Sequence, residues 1–345
     1  MFMRNTWYAA AWNHEVGETP FARTLLNEPV VLYRTADGSP AALEDRCCHR
    51  SLPLSRGRVN GDHLQCGYHG LTFDAAGQCV LVPGQSTIPP DARIKSYPVI
   101  ERHQWIWIWM GDPELADESL IPDWWWMENP DWRTIKGDPP FYLHCDYKLV
   151  TDNLLDLSHL SFVHETTIGT DAVVKFPITT DRGEDRVFMT RWIMDSPPPD
   201  MYVGFLHHNV PGYHGNVDRW QIVETSLPAN SDVFVGVAVA GTGAPDGDYS
   251  QGIEFHNLNT VTPETETTCH YFYAHARHFA QDSKEVDELY RVGFRNVFME
   301  DVVVFDAQQV NYDRFPSPHE VDITTDGPGI NIRRMIDARI AAENA

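Results

Sequence analysis

The sequence predicts an α+β protein of two domains: an all-β N-terminal domain over residues 1–115, and a C-terminal domain over residues 116–345 with an antiparallel sheet and helices. Three observations predict this. Up to about residue 115 the apolar runs are brief and separated by glycine-containing turns. From Gly111 to Trp132 the chain is rich in Pro, Asp and Trp, as a linking segment is. Beyond it, strand-like runs are interspersed with patterns of helical period.

The elements follow in order. Val30–Tyr33, Ala41–Glu44 and Val80–Pro83 read as short strands, with turns at Asp37-Gly38, Asn60-Gly61 and Ala76-Gly77. Gln104–Met110 alternates, with Trp105, Trp107 and Trp109 on one face and Ile106 and Ile108 on the other. Apolar residues on both faces predict a strand buried on both sides. Trp124–Trp126 suits packing at a domain junction or, alternatively, a binding platform. Asp146–His164 reads as a helix, and Arg219–Leu227, Val233–Val239 and Thr268–His275 read as strands. Asp282–Gln309 is a long helix capped by Asp282 or Ser283. Ile330–Glu343 closes the chain as a helix with Ile332, Ile336 and Ile340 in register.

Composition excludes several functions. The chain has 345 residues, enough for one large domain or two ordinary ones. It holds 26 Lys plus Arg against 49 Asp plus Glu, a formal charge of −23. Such a chain repels nucleic acid and anionic membranes. The same field opposes an anionic substrate, which would need donors placed locally. No apolar run is long enough for a transmembrane helix, and Met1–Trp12 lacks the features of a secretory signal. A cytoplasmic location is expected. The cysteines are too sparse for a disulfide framework, so a metal or redox role for some of them is expected.

Cys47-Cys48-His49 is followed, after sixteen residues, by Cys66-Gly67-Tyr68-His69-Gly70. Two Cys–His pairs can give a [2Fe–2S] cluster two thiolates on one iron and two imidazoles on the other. The imidazoles raise its potential, so it can take electrons from a flavin or ferredoxin donor. A structural zinc site is the rival, but the Cys–x–His pair is tighter than zinc loops usually are. Arg50, Pro53, Leu54 and the Tyr-His-Gly run match the Rieske pattern. Cys48 falls in the spacer, and Cys79, Cys145 and Cys269 read as core residues.

A second constellation lies in Asp152–His164. Asn153, Asp156 and His159 are spaced by three and share one face of a helix. His164 is five beyond His159, so a helix carrying both to one metal must end or bulge between them, for example in a π-type turn. The apolar stripe of the long helix, Val286, Tyr290, Phe294 and Val297, continues into Asp301. A bare carboxylate there is costly, and a metal, a salt bridge or a cap would offset it. Two histidines and one carboxylate leave positions open for O₂ beside a substrate, as in iron oxygenases. Glu300 and Asp306 are the fallback carboxylates. His207, His208, His214, His256 and His270 have no partner at a convincing spacing and read as surface or core.

On these motifs the chain resembles the Rieske ring-hydroxylating oxygenases over nearly its whole length, in the branch of vanillate O-demethylase, dicamba monooxygenase and toluenesulfonate monooxygenase. Further matching segments are Asn5-Thr6-Trp7-Tyr8, Ile106–Pro113, Asp146–Leu149, Thr262-Pro263-Glu264-Thr265-Glu266 and Arg333-Arg334. The resemblance implies a Rieske [2Fe–2S] domain over 1–115, held by Cys47, His49, Cys66 and His69. It implies a catalytic domain over 116–345 whose mononuclear Fe(II) is held by His159, His164 and Asp301. It implies a head-to-tail homotrimer in which His69 of one subunit meets Asp156 of the next, with Asp156 touching His159. A separate NADH-dependent flavin/iron–sulfur reductase is implied, with or without a ferredoxin, and the chain shows no dinucleotide fingerprint of its own. The substrate implied is a small aromatic acid, with Asn259 at the position that helps hold its acid group. The expected reaction is O-demethylation or monohydroxylation. cis-Dihydroxylation is the alternative within the class, and a pure electron carrier or a zinc-stabilised binding protein the alternatives outside it.

Overall fold

The computed structural model describes residues 1–315 and 320–345. The fold is α+β, as predicted, and forms two compact units. One comprises Met1–Asp123, Thr262–Thr265 and Glu343–Ala345, and the other Trp124–Val261 and Glu266–Ala342.

The first unit is built from three small sheets. Trp105–Trp109 lies between Trp7–Trp12 and Val99–Arg102. All five of its residues are buried, as its two apolar faces predict. Trp12 sits opposite Trp105, with ring centroids 4.6 Å apart. Four strands, Phe21–Leu25, Glu28–Arg34, Pro40–Glu44 and Ser96–Tyr97, form the second sheet. The third runs Arg58–Asn60, His63–Gln65, Thr72–Phe73 and Cys79–Leu81. Val80–Pro83 is therefore shifted: the strand starts at the buried Cys79 and leaves Val80 and Leu81 exposed. The Thr262–Thr265 segment belongs to this unit because its groups bond there. Thr262 Oγ1 donates to the Ala9 carbonyl at 2.8 Å, and the Leu26 amide to the Pro263 carbonyl at 2.9 Å.

The second unit is organised by an eight-stranded sheet. Its order is Arg133–Lys136, Thr268–Arg277, Gly252–Thr265, Asn230–Val239, Val217–Ser226, Arg186–Ser196 and Thr179–Arg182, with Phe141–Leu143 also on Thr268–Arg277. The three predicted strands are present with ends moved by a few residues. The longest strand, Gly252–Thr265, was not predicted. Its buried positions include His256, Asn257, Asn259, Thr260 and Thr262, so its hydropathy hides it. Arg186–Ser196 and the helix Asp200–Asn209 were likewise not predicted.

The predicted Asp146–His164 helix is broken. Asp146 caps the Lys148 amide at 3.0 Å and starts a helix that runs Tyr147–Leu155. Asp156 then leaves helical geometry, a 3₁₀ turn covers Leu157–His159, and a one-turn helix covers Leu160–Val163. The long helix is capped by Ser283, begins at Lys284, and continues to Arg314. Its Leu289–Phe294 stretch is π-helical. The π-type turn considered for the histidine segment thus lies on the helix of Asp301 instead. The wider turn keeps Val286, Tyr290 and Phe294, spaced by four, on one buried face. The last helix spans Gly327–Glu343, with Ile332 and Ile336 buried.

Candidate metal centres

The two Cys–His motifs form a matched pair of loops. In each, the cysteine amide donates to the carbonyl five residues on, Cys47 to Leu52 at 2.9 Å and Cys66 to Leu71 at 2.8 Å. In each, the residue four on donates back to the cysteine carbonyl, from Ser51 and Gly70. Both of these residues have positive φ, 56° at Ser51 and 76° at Gly70. Gly67 permits the second loop to pack against the Leu54–Arg56 turn that follows the first, since a Cβ there would lie 2.5 Å from the Arg56 carbonyl oxygen.

The loops put the thiols inside and the imidazoles outside. Cys47 and Cys66 are 2 % and 3 % exposed and join a core with Tyr33, Leu43, Leu64 and Phe73. His49 and His69 are exposed, with ring centroids 4.6 Å apart. Burial, with the neighbouring Cys66, pushes the Cys47 thiol up to about 11. A thiol so placed ionises when a metal supplies the compensating charge. Buried sulfur and exposed nitrogen fit a mixed-ligand cluster whose histidine iron faces outward. Cys48 is exposed, and Cys79, Cys145 and Cys269 are buried as predicted.

The second centre gathers residues from two helical segments. His159 and His164 bracket the Leu160–Val163 turn, one at its start and one at its end. Asp301 is 5 % exposed on the apolar face of the long helix. The three offer ligand atoms within 4.8 Å of one another. His164 Nε2 is 3.2 Å and His159 Nε2 3.5 Å from Asp301 Oδ1. Asn153 Nδ2 donates to the same oxygen at 3.1 Å.

The remaining ring nitrogens are tied back. His164 Nδ1 meets Glu300 Oε2 at 2.6 Å, and Thr167 Oγ1 donates to that oxygen at 3.2 Å. His159 Nδ1 meets the backbone carbonyl of Asp156 at 2.6 Å. A carbonyl only accepts, so His159 carries its proton on Nδ1 and turns a lone pair on Nε2 toward Asp301. Burial lowers the His159 pKa, partly offset by Asp301. Burial also works against charge on His164, but Asp301 and Glu300 outweigh it and leave its pKa raised.

Two expectations are corrected here. Asn153, Asp156 and His159 do not share a helical face, because the helix ends at Leu155; Asn153 still comes within 3.5 Å of His159 Nε2. Asp156 holds His159 by its main chain. Its carboxylate instead caps the Ser158 amide at 2.9 Å and accepts from Thr325 Oγ1 at 3.1 Å. Glu300, named only as a fallback ligand, backs His164, and Asp306 is exposed. The sequence signal for Glu300 is only its adjacency to Asp301, which turns it to a different side of the helix.

A cavity opens beside the three. Its helical side includes Asn153, His159, His164 and Asp301, and its sheet side Arg219, Gln221, Asn257 and Asn259. Asn259 is fully buried with both ends of its amide engaged. Its Oδ1 accepts from the Tyr271 hydroxyl at 2.8 Å, and its Nδ2 donates to the Asn257 carbonyl at 2.8 Å.

Residues 6–98 match the Rieske [2Fe-2S] domain, and residues 143–342 match the vanillate O-demethylase oxygenase C-terminal domain. The chain belongs to the Rieske oxygenases of the vanillate O-demethylase family. It is 43 % identical to a toluene-4-sulfonate monooxygenase iron-sulfur subunit from Comamonas testosteroni, covering 100 % of this chain and 99 % of that one. It is 39 % identical to the oxygenase component of dicamba O-demethylase from Stenotrophomonas maltophilia, over 89 % of this chain and 88 % of the other. The crystal structure of dicamba monooxygenase bound to 3,6-dichlorosalicylic acid superposes with a TM-score of 0.93 at 36 % identity, covering 100 % and 99 % of the two chains.

This Rieske oxygenase is therefore the oxygenase component of a multicomponent system with a [2Fe–2S] cluster, a non-haem iron and a reductase partner. The electron-carrier and zinc-protein alternatives are set aside. His256 is a packing residue. His256 bonds Asp232 through Nδ1 at 2.9 Å and stacks on Trp126 at 3.9 Å, which makes Trp126 a packing residue. Among the described residues no helix is long and apolar enough to cross a membrane.

Proposed function

We propose that this oxygenase component monooxygenates a small aromatic acid, by O-demethylation or by hydroxylation of a methyl or ring position. Cys47, His49, Cys66 and His69 hold the cluster in a domain over residues 1–115. His159, His164 and Asp301 hold the iron in a catalytic domain over residues 116–345. When bound, the cluster relays electrons and the iron activates O₂ beside the substrate. The electrons come from an NADH-dependent flavin/iron–sulfur reductase, directly or through a ferredoxin, and the chain acts in the cytoplasm.

The observation that carries this reading is the convergence of His159, His164 and Asp301 within 4.8 Å at the edge of a cavity. Asp156 and Glu300 fix the two rings by their Nδ1 atoms, and Asn153 fixes the carboxylate. Such supports orient ligands and raise their basicity. The cavity of about 60 Å³ is smaller than the roughly 150 Å³ cavity that accommodates benzene in a protein core. Asn259 shapes the sheet wall of the cavity. The chain works as a head-to-tail homotrimer in which the exposed His69 of one subunit passes electrons toward Asp156 of its neighbour.

Reconstitution with a flavin/iron–sulfur reductase, NADH and O₂, followed by mass spectrometry on a panel of aromatic carboxylates and sulfonates, tests the reading. Hydroxylated or demethylated product is expected from the wild type. Asp301→Ala is expected to keep the cluster spectrum, lose iron and form no product. Full iron content and turnover in Asp301→Ala would remove Asp301 from the ligand set.

A further inference from the structure

A chain of charge −23 repels an anion at long range, so an anionic substrate depends on donors built into the site. The sheet wall of the cavity carries them. Arg219 and Gln221 lie two apart on the Val217–Ser226 strand and point to the same face. They are 2 % and 0 % exposed. Arg219 Nη2 donates to the Ile168 carbonyl at 3.2 Å and the guanidinium also interacts with the Tyr202 hydroxyl, while Nε and Nη1 lack a partner in hydrogen-bond geometry. Its guanidinium lies 5.2 Å from the centre of the Tyr202 ring. Burial lowers its pKa, offset only by the Tyr202 phenol and by no carboxylate.

Gln221 adds another donor with a defined direction. Its Oε1 accepts from Arg191 Nη1 at 2.9 Å, and Arg191 pairs opposite it on the Arg186–Ser196 strand. The carbonyl end is thus occupied, and the Nε2 end has no protein partner. Arg191 is itself buried; burial lowers its pKa, the Asp156 carboxylate partly offsets this, and Arg219 adds a smaller repulsion. A buried guanidinium with no carboxylate beside it, as at Arg219, is costly to bury. Among the described residues the donors of this wall exceed its acceptors, which suits a ligand that only accepts. Asn259 has no such surplus, since both ends of its amide are engaged.

We propose that Arg219, with the Gln221 amide beside it, binds the anionic oxo group of the aromatic substrate, a carboxylate or sulfonate, and so aims the ring at the His159–His164–Asp301 triad. Arg191 is a positioning residue that turns the Gln221 amide toward the anion. Arg219 offers the planar fork that grips two oxygens at once. The proposal rests on the aromatic-oxygenase reading above and adds the residues that select the charge of the substrate.

The test is equilibrium binding to the holoenzyme under anaerobic conditions, with cluster spectrum and iron content checked for each variant. The probes are 4-methylbenzenesulfonate, 4-methylbenzoate and the neutral 4-methylanisole. The wild type is expected to bind at least one anion tighter than the neutral ring by tenfold or more, and the tighter anion identifies the oxo group. Arg219→Gln is expected to weaken that anion by roughly 30- to 1,000-fold and to leave the neutral ring within about threefold. Arg219→Lys, which keeps the charge but not the fork, is expected to fall between. A wild type that binds the neutral ring as tightly as both anions overturns the proposal without any variant. So does Arg219→Gln with intact metal centres and unchanged anion binding. Product formation is scored separately with reductase. Arg219-dependent anion binding without product upholds this site and overturns the oxygenation reading, whereas product from the neutral ring without anion binding does the reverse.

Discussion

Replacing Glu300 by Gln isolates the role of the carboxylate behind His164. The amide keeps the size of the side chain and an oxygen for the His164 Nδ1 proton, but removes the charge. The contact is short, 2.6 Å, and Thr167 supports the same oxygen. A hydrogen bond to a charged group is worth about 1.5–3 kcal/mol, against about 0.5–1.5 kcal/mol for a neutral one. The change therefore costs on the order of 1–2 kcal/mol, or about 5- to 30-fold in iron affinity at about 1.4 kcal/mol per tenfold. The Glu300 side chain is 30 % exposed, so water screens part of its charge and the lower half of that range is expected. Competition for Fe(II) with a chelator under anaerobic conditions measures the affinity, and the cluster absorbance reports an intact first domain. Iron affinity within twofold of wild type, with the cluster unchanged, would refute the argument that Glu300 strengthens His164 as a ligand.

Three further outcomes are expected. His49→Ala or His69→Ala removes the Rieske absorbance while the other centre still takes up iron; a retained cluster spectrum speaks against the ligand assignment. Asp156→Asn keeps both metals, because the main-chain carbonyl of Asp156 holds His159 and an amide oxygen still caps Ser158. It slows reoxidation of the reduced cluster in rapid mixing with substrate and O₂, and wild-type reoxidation rates would exclude a bridging role for the carboxylate. His275 is wholly buried, and burial lowers its pKa to about 3, against about 6.5 unfolded. The unfolded chain binds the extra proton between those values, so this contribution is complete above about pH 6.5 and shrinks as pH falls toward 3. Denaturant unfolding at equal metal loading should show the stability advantage of wild type over His275→Gln smaller by about 2 kcal/mol at pH 5 than at pH 7, and parallel pH profiles would contradict it.

The residues proposed as ligands of both centres could be picked out in the sequence because the chemistry that groups them is local or periodic. Cys47 and His49 sit on one loop tip, Cys66 and His69 on another, and no distant contact is needed to see that each loop offers one sulfur and one nitrogen. Asp301 showed itself as a carboxylate on a buried stripe, an expense that asks for an explanation. Trp105–Trp109 declared a doubly buried strand by having no polar face. The Asp146–His164 break was hidden, since Leu154, Leu155, Leu157 and Leu160 continue a helical pattern through it. The turn at Asp156, where its carboxylate caps the Ser158 amide, brings His159 and His164 both to Asp301, on a helix far along the chain. Gly252–Thr265 and the Arg219–Gln221 wall were hidden for the opposite reason. Arginine, glutamine, asparagine and histidine in a strand normally mark its wet face, so their burial cannot be read from order along the chain. That burial follows from pairing with Arg186–Ser196 and Asn230–Val239 and from the helices covering the sheet. Candidate metal ligands are thus marked by short spacings and a carboxylate on an apolar stripe, whereas the buried donors of the cavity wall exist only once distant strands and helices have enclosed them.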